Sequence, residues 1–274
     1  MKLHSIFFTL IFLTSNSNAQ KADSIIKSNG YLDRQDHKAF FKLTDAQVKN
    51  KQGHVRYAIL TNYKEGEIPL NTLGNFGTVI DQENSSFRLY MINLSIVDMV
   101  NFSFGLPRNR IILNVKDKRK YKYSMSFGPI DDWMRQNLYC FECFMPLGLQ
   151  QQTKTVNDEL ANLFKINFKV EPRMTEVAIL VRTSKKDKIS SGISIHSIQG
   201  KEAGFYDVPL STIVQQLNNM EMPPIIDETG YTSNVNLTLD VEQGISGLIS
   251  SLAKYDLGIT LEKRQMQMLI INEN

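Results

Sequence analysis

The sequence predicts an α+β protein of two repeated βαβ or βαββ lobes, with helices packed on mixed sheets. Short runs alternate apolar and polar residues, as half-buried strands do, and they are interleaved with segments whose apolar residues have helical spacing. A similar order of strands and helices occurs twice, in residues 87–182 and 205–272. Because identical residues between these halves are few, the order of the elements is the main indication of an internal repeat.

The predicted elements follow the chain in order. In the N-terminal region they are a helix at residues 36–48, a strand at 55–61 and a short run at 78–80. In the first lobe they are strands at 87–93, 110–115, 121–127 and 138–145, helices at 95–104 and 156–164, and a hairpin of 166–170 with 177–181. In the second lobe they are a helix capped by Ser211, strands at 225–226 and 235–239, a helix at 241–254, and a hairpin of 258–262 with 268–271.

The amino terminus has the pattern of a secretory signal peptide. Lys2 precedes an apolar run at residues 6–13, and the small residues Ser17 and Ala19 stand at the −3 and −1 positions of a cleavage site. Eight residues span about 12 Å as a helix, whereas a membrane crossing needs about 20 residues. We therefore expect residues 1–19 to be removed and the mature protein to be exported, to the periplasm or the extracellular space.

The composition is that of an ordinary globular protein. Of 274 residues, 42% are hydrophobic and 22% are charged, with a net charge of +3, which suits one large domain or two small ones. Basic clusters occur at residues 116–122 and 185–188. The first joins two predicted strands and the second lies in a predicted loop, so we interpret both as solvated turns and expect no nucleic acid partner.

The predicted domain organisation follows from these elements. After the signal peptide, residues 20–84 form a poorly defined N-terminal region. The first lobe is predicted at residues 85–182 and the second at residues 205–274, separated by a polar loop at 183–204 with a short strand at 193–196.

Three stretches carry a family resemblance. They are residues 87–104, with Asn93 and Asp98; residues 160–181; and residues 226–231, continued by 237–239 and 257–262. They resemble the soil-associated bacterial protein family of unknown function, a domain found in exported chains and also behind thioredoxin-like domains. The family's Pro-x-Trp signature is stretched here to Pro129 and Trp133, and Tyr231 stands where the family has Leu.

Two shorter resemblances concern single units. Residues 235–271 resemble the short N-terminal domain of secretins and TonB-dependent transducers, a βαββ module that contacts partner proteins. Residues 110–140 are similar to the tail that follows a thioredoxin-like domain in some exported redox proteins. The resemblances imply an α+β fold and contacts with a protein at the cell envelope.

Cys140 and Cys143 are the only motif with evident chemistry, a Cys-Phe-Glu-Cys run. A redox Cys-x-x-Cys places its first thiol exposed at a helix N-terminus, where the thiol pKa is lowered. The flanking residues here predict a strand, in which side chains three apart point to opposite faces. Two partly buried thiols are favoured, and a structural disulfide or a catalytic pair remain as alternatives.

Other chemistry-bearing residues lack a recognisable pattern. His37, His54 and His196 are isolated in sequence, so no zinc site is predicted. The adjacent acids Asp131–Asp132 and Asp227–Glu228 fall in predicted turns, where Asp bonds its own backbone. No phosphate loop, dinucleotide fingerprint or nucleophile elbow occurs, and no cofactor is expected.

The sequence therefore favours an exported, non-enzymatic protein that acts through protein contacts at the exposed strand edges of its βαββ units. One alternative is a thiol-disulfide protein that uses Cys140 and Cys143. Another is an envelope ligand-sensing module with a pocket between its lobes.

Overall fold

A computed structural model describes residues 56–67, 75–83, 85–147, 152–190 and 203–274. Within these ranges it contains ten strands and five α-helices in an α+β arrangement, which confirms the predicted fold class. The predicted signal peptide, the helix at residues 36–48, the strand at 193–196 and all three singled-out histidines lie outside the described residues. No described helix is long and apolar enough to span a membrane.

The elements have the following bounds. The strands are β1 (Tyr57–Asn62), β2 (Phe76–Asp81), β3 (Ser86–Leu94), β4 (Ile111–Asn114), β5 (Tyr139–Pro146), β6 (Ile166–Arg182), β7 (Ala203–Pro209), β8 (Ile225–Asp227), β9 (Asn234–Leu239) and β10 (Leu257–Glu273). The α-helices are α1 (Ile96–Asn101), α2 (Ile130–Asn137), α3 (Gln152–Phe164), α4 (Leu210–Leu217) and α5 (Gly244–Leu252).

The described strands form three sheets. An antiparallel sheet has the order β1-β5-β3-β2, and β7 pairs with β9 in a two-stranded sheet. The third sheet has the order β4-β10-β6-β8 and contains strands of both lobes. The two lobes therefore share one sheet.

The strands β6 and β10 are continuous over 17 residues each, so both predicted hairpins are wrong. They pair with each other antiparallel along their whole length, from Ile166 opposite Glu273 to Arg182 opposite Leu257. The polar run at 171–175 suggested a turn because it interrupts the apolar alternation. It instead lies in an exposed part of the ribbon, where the neighbouring strand satisfies the backbone while the side chains face water.

The two long strands exchange their ends between the lobes. Ala178 and Leu180 of β6 pack in the core of the second lobe, with α4 and α5. Leu269 and Ile271 of β10 pack in a core of the first lobe, with α1. The short parallel strands also pair across the lobes: β4 of the first lobe pairs with β10 of the second, and β8 of the second lobe pairs with β6 of the first. Each lobe is thus completed by the long strand of the other.

The lobes also correspond in backbone detail. Both long strands follow a non-glycine residue in the left-handed region, Lys165 at φ 54° and Asp256 at φ 53°. Both β3 and β7 contain an irregularity in register at a left-handed residue, Asn93 at φ 50° and Asp207 at φ 54°. Left-handed non-glycine residues are uncommon, so these equivalent positions are a specific similarity between the lobes.

Three further predictions need correction. The predicted strand at residues 121–127 is absent: these residues form turns, with a 3₁₀ segment at Met125–Phe127, and α2 begins afterwards at Ile130. Proline and acidic residues both favour a helix N-terminus, and Asp131 and Asp132 occupy the first turn of α2 rather than a loop. Helix α4 begins at Leu210, so Ser211 lies inside it and does not cap it.

Removing side-chain volume from the exchanged strand ends tests this arrangement. We expect Leu180→Ala in β6 and Ile271→Ala in β10 each to reduce the free energy of unfolding by about 2–5 kcal/mol, because both side chains are buried. Hydrogen exchange should show the larger loss of protection in α5 for Leu180→Ala and in α1 for Ile271→Ala. A loss of protection confined to the first lobe for Leu180→Ala, or to the second lobe for Ile271→Ala, would contradict the exchange of strand ends.

Candidate functional site

Cys140 and Cys143 lie on β5, are both buried, and are both free thiols. Their side chains occupy opposite faces of the sheet. Cys143 packs in the core with Leu89 and Phe141, whereas Cys140 contacts Ile92 on the other side. This is the alternation expected of residues three apart on a strand.

Burial makes both thiols poor nucleophiles. It raises the pKa of Cys143 to about 12. Burial also raises the pKa of Cys140, although a backbone hydrogen bond from Asn93 acts in the opposite direction. The Cys140 thiol itself donates to Asn93 Oδ1 at 3.4 Å. Because the thiolate is the reactive form, this geometry does not favour thiol-disulfide chemistry.

We therefore expect the native thiols to be protected and the unfolded thiols to be reactive. Iodoacetamide labelling at pH 8 should be more than ~100-fold slower in the native protein than in denaturant. Because folding raises the pKa of Cys143 above its usual value near 9, the unfolded state loses this proton first. Stability should then fall as the pH rises from about 9 to about 12. Fast labelling of the native protein, or a native disulfide, would restore the redox alternative.

β5 also contains a buried ionisable residue, Glu142, between the two cysteines. The Glu142 carboxylate accepts hydrogen bonds from the Tyr57 hydroxyl at 2.7 Å and from Arg88 Nε at 3.1 Å. Burial and the bond to Glu142 raise the pKa of Tyr57 above its usual range. A carboxylate held by a cation and a hydroxyl is satisfied internally, and this arrangement is typical of a structural network.

The remaining acids named by the sequence have local structural roles. Asp227 Oδ1 accepts from the backbone N–H and the hydroxyl of Thr229, as predicted for a turn, and Glu228 forms an exposed pair with Arg264. In the described part of the chain, no three His, Cys, Asp or Glu residues are grouped as metal ligands.

Asn93 and Asp98, which were named in the family resemblance, also have local structural roles. The Asn93 amide donates to the carbonyl oxygens of Lys64 and Glu67 and accepts from the Lys64 N–H, so it fixes the chain that follows β1. Asp98 lies in the first turn of α1, where Ser95 is the N-cap.

The ribbon formed by β6 and β10 presents a different kind of site, because described strands lie beside only a small part of its outer edges. β8 lies beside β6 only at Ala178–Leu180, and β4 lies beside β10 only at Leu269–Asn272. Among the described strands, none lies beside the rest of either outer edge. Such an edge exposes a row of N–H and C=O groups that can pair with another chain.

Hydrogen bonds near one end of the ribbon show which groups point outward. The Ala178 N–H donates to the Pro224 carbonyl, and the Leu180 carbonyl accepts from Glu228 N–H. Because backbone direction alternates along an antiparallel pair, the even-numbered residues of β6 and their partners in β10 point their backbone groups outward. Met174 and Gln265, which are directly opposite each other, belong to this set.

The two outer edges differ in their donors. Pro172 of β6 belongs to the outward set and has no N–H, so the β6 edge lacks a donor near its centre. The outer edge of β10 contains no proline between Leu257 and Met268 and keeps its full set of donors. β10 is therefore the more complete template for an added strand.

Side chains along the ribbon combine exposed apolar residues with charges. Met174 is 66% exposed and Leu261 is 50% exposed. Glu171 pairs with Lys169 and Arg173, and Arg264 pairs with Glu262. Charges on an edge limit indiscriminate pairing without blocking a partner that complements them.

The sequence predicts strand edges as working surfaces but does not reveal this one, because the polar runs in the middle of both long strands predict turns. Pro172 in a polar run was the available signal, since proline within a strand is confined to edges. Comparisons of the chain with protein-family models, curated proteins and solved structures find no match. The family resemblance stays a prediction.

Proposed function

We propose that this protein is an exported, non-enzymatic binding protein that takes an extended segment of a partner protein as an added strand on the outer edge of β10. The observation that supports this proposal is the run of outward backbone groups between Leu257 and Met268, beside which no described strand lies. Strand addition draws its affinity from main-chain hydrogen bonds and its specificity from alternate side chains. The site of action is the cell envelope, as the signal-peptide pattern suggests.

The side chains of β10 indicate what the partner strand contains. The outward positions include Ile259 and Leu261 near the second lobe, and Lys263, Gln265 and Gln267 toward the middle. A complementary segment has apolar residues opposite the first two positions and an acidic residue opposite Lys263, because cross-strand pairs on one face interact directly.

Proline substitutions distinguish the two edges of the ribbon. We expect Gln265→Pro to abolish partner binding, since it removes an outward N–H from β10 while the bonds to β6 remain. Met174→Pro is the matched control, because it removes the outward N–H of the opposite residue on the β6 edge and should leave binding intact. Binding is measured with a photo-cross-linker at Lys263 in the exported fraction of producing cells.

The proposal predicts a cross-linked partner segment for the unsubstituted and Met174→Pro proteins and none for Gln265→Pro, with circular dichroism showing that all three are folded. Equal cross-linking by both proline variants would overturn binding at β10. A cross-link only between two copies of this chain would replace the partner protein with self-association.

A further inference from the structure

A cleft of about 540 Å³ lies between the two lobes. Its walls come from α1, α2, β4 and the segment at 122–124 of the first lobe, and from residues 219–221 of the second. The lobes are fixed at this point by two bonds from Asn109 to Asn218: one from backbone N–H to carbonyl, and one between their side chains at 2.8 Å. The volume lies within the roughly 300–1,000 Å³ range of sites for small molecules.

One wall of the cleft is aromatic and aliphatic. Trp133, the only tryptophan in the sequence, packs edge-on against Tyr123 with ring centroids 5.5 Å apart. Its indole N–H donates to the Arg119 carbonyl, so the polar end of the ring is already satisfied. Ile130 on α2 also lines the cleft and is 48% exposed. This wall suits the apolar body of a ligand.

Two ion pairs line the cleft. Arg108 pairs with Asp98 at 3.0 Å, and Lys122 pairs with Glu221 at 2.8 Å. All but Asp98 are substantially exposed, so both pairs contribute little to stability and a ligand can rearrange them at small cost.

Hydrogen-bonding capacity in the cleft favours an anion. The Arg108 guanidinium has five donors, and its bond to Asp98 uses one of its nitrogens. Both oxygens of Asp98 already accept, one from Arg108 and the other from the Ser95 hydroxyl. Donors therefore outnumber acceptors around this pair.

The basic cluster at residues 116–122 strengthens this preference. It contains five cations and one acid, and its last residue, Lys122, lines the cleft. The sequence suggested a solvated turn between strands, but the segment leads directly into this site. A concentration of positive charge beside a cleft raises the local concentration of anions.

We propose that the cleft binds a small amphipathic anion, which has an aromatic or branched aliphatic body and one carboxylate, sulfonate or phosphate. The body packs against Trp133, Tyr123 and Ile130, and the anionic group bonds Arg108 and Lys122. This site is separate from the outer edge of β10 and does not depend on strand addition there.

Tryptophan fluorescence tests the proposal, because the sole tryptophan lines the cleft. The probe is 8-anilinonaphthalene-1-sulfonate, which combines an aromatic body with a sulfonate, and its uncharged counterpart is N-phenyl-1-naphthylamine. We expect saturable one-to-one quenching of Trp133 by the sulfonate, with at least about tenfold weaker binding of the uncharged compound, since charge-assisted hydrogen bonds are the stronger ones.

Substitutions in the cleft test which residues bind the anionic group of the ligand and which contact its apolar body. Arg108→Met and Lys122→Met should each weaken sulfonate binding by about tenfold and leave the uncharged compound unaffected, whereas Ile130→Ser should weaken both. Lys154→Met is the control, because it removes an exposed, ion-paired cation from α3, which does not line the cleft. Non-saturable quenching, equal binding of both compounds, or sulfonate binding unchanged in both the Arg108 and Lys122 variants would overturn the proposal.

Discussion

The antiparallel pairing of β6 with β10 joins the two lobes and completes the core of each. The apolar ends of each strand belong to different lobes, so neither lobe has a complete core without the other's long strand. The middle of the ribbon, by contrast, is exposed, and a two-stranded ribbon alone is marginally stable in water. Its ion pairs add at most about 1 kcal/mol each. Anchoring at both ends therefore keeps the middle in register.

This arrangement accounts for both proposed binding surfaces. The ribbon is longer than the short strands beside it, so between the lobes no strand of the described residues lies along the outer edge of β10. The same pairing holds the lobes together, so that the segment after α4 meets the one before β4 and closes one side of the cleft. A protein segment and a small anion would thus contact separate surfaces of one rigid frame.

The sequence predicts correctly those elements in which the spacing of apolar residues is regular from one end of the element to the other. The strand β9 and the helix α3 follow that spacing, and Ser95 caps α1 where the helix was expected to begin. The long strands were divided in two because polar residues normally signal a turn, and no local rule reveals that a distant strand will satisfy Glu171–Thr175. The opposite faces of Cys140 and Cys143 were predictable from strand periodicity alone. The cleft was not, because Trp133 and Glu221 come together only through the packing of the two lobes.

A designed disulfide between β6 and β10 tests whether the two strands pair along the middle of the ribbon. Met174 and Gln265 are opposite each other, and their outward backbone groups make them a non-hydrogen-bonded pair, whose Cα atoms are about 4.5 Å apart. Since Cys140 and Cys143 are buried, mild oxidation of the Met174→Cys/Gln265→Cys double variant should produce one bond within the monomer and raise its melting temperature. If these cysteines stay reduced, or if they link only separate copies of the chain, the middle of the ribbon is not paired as described.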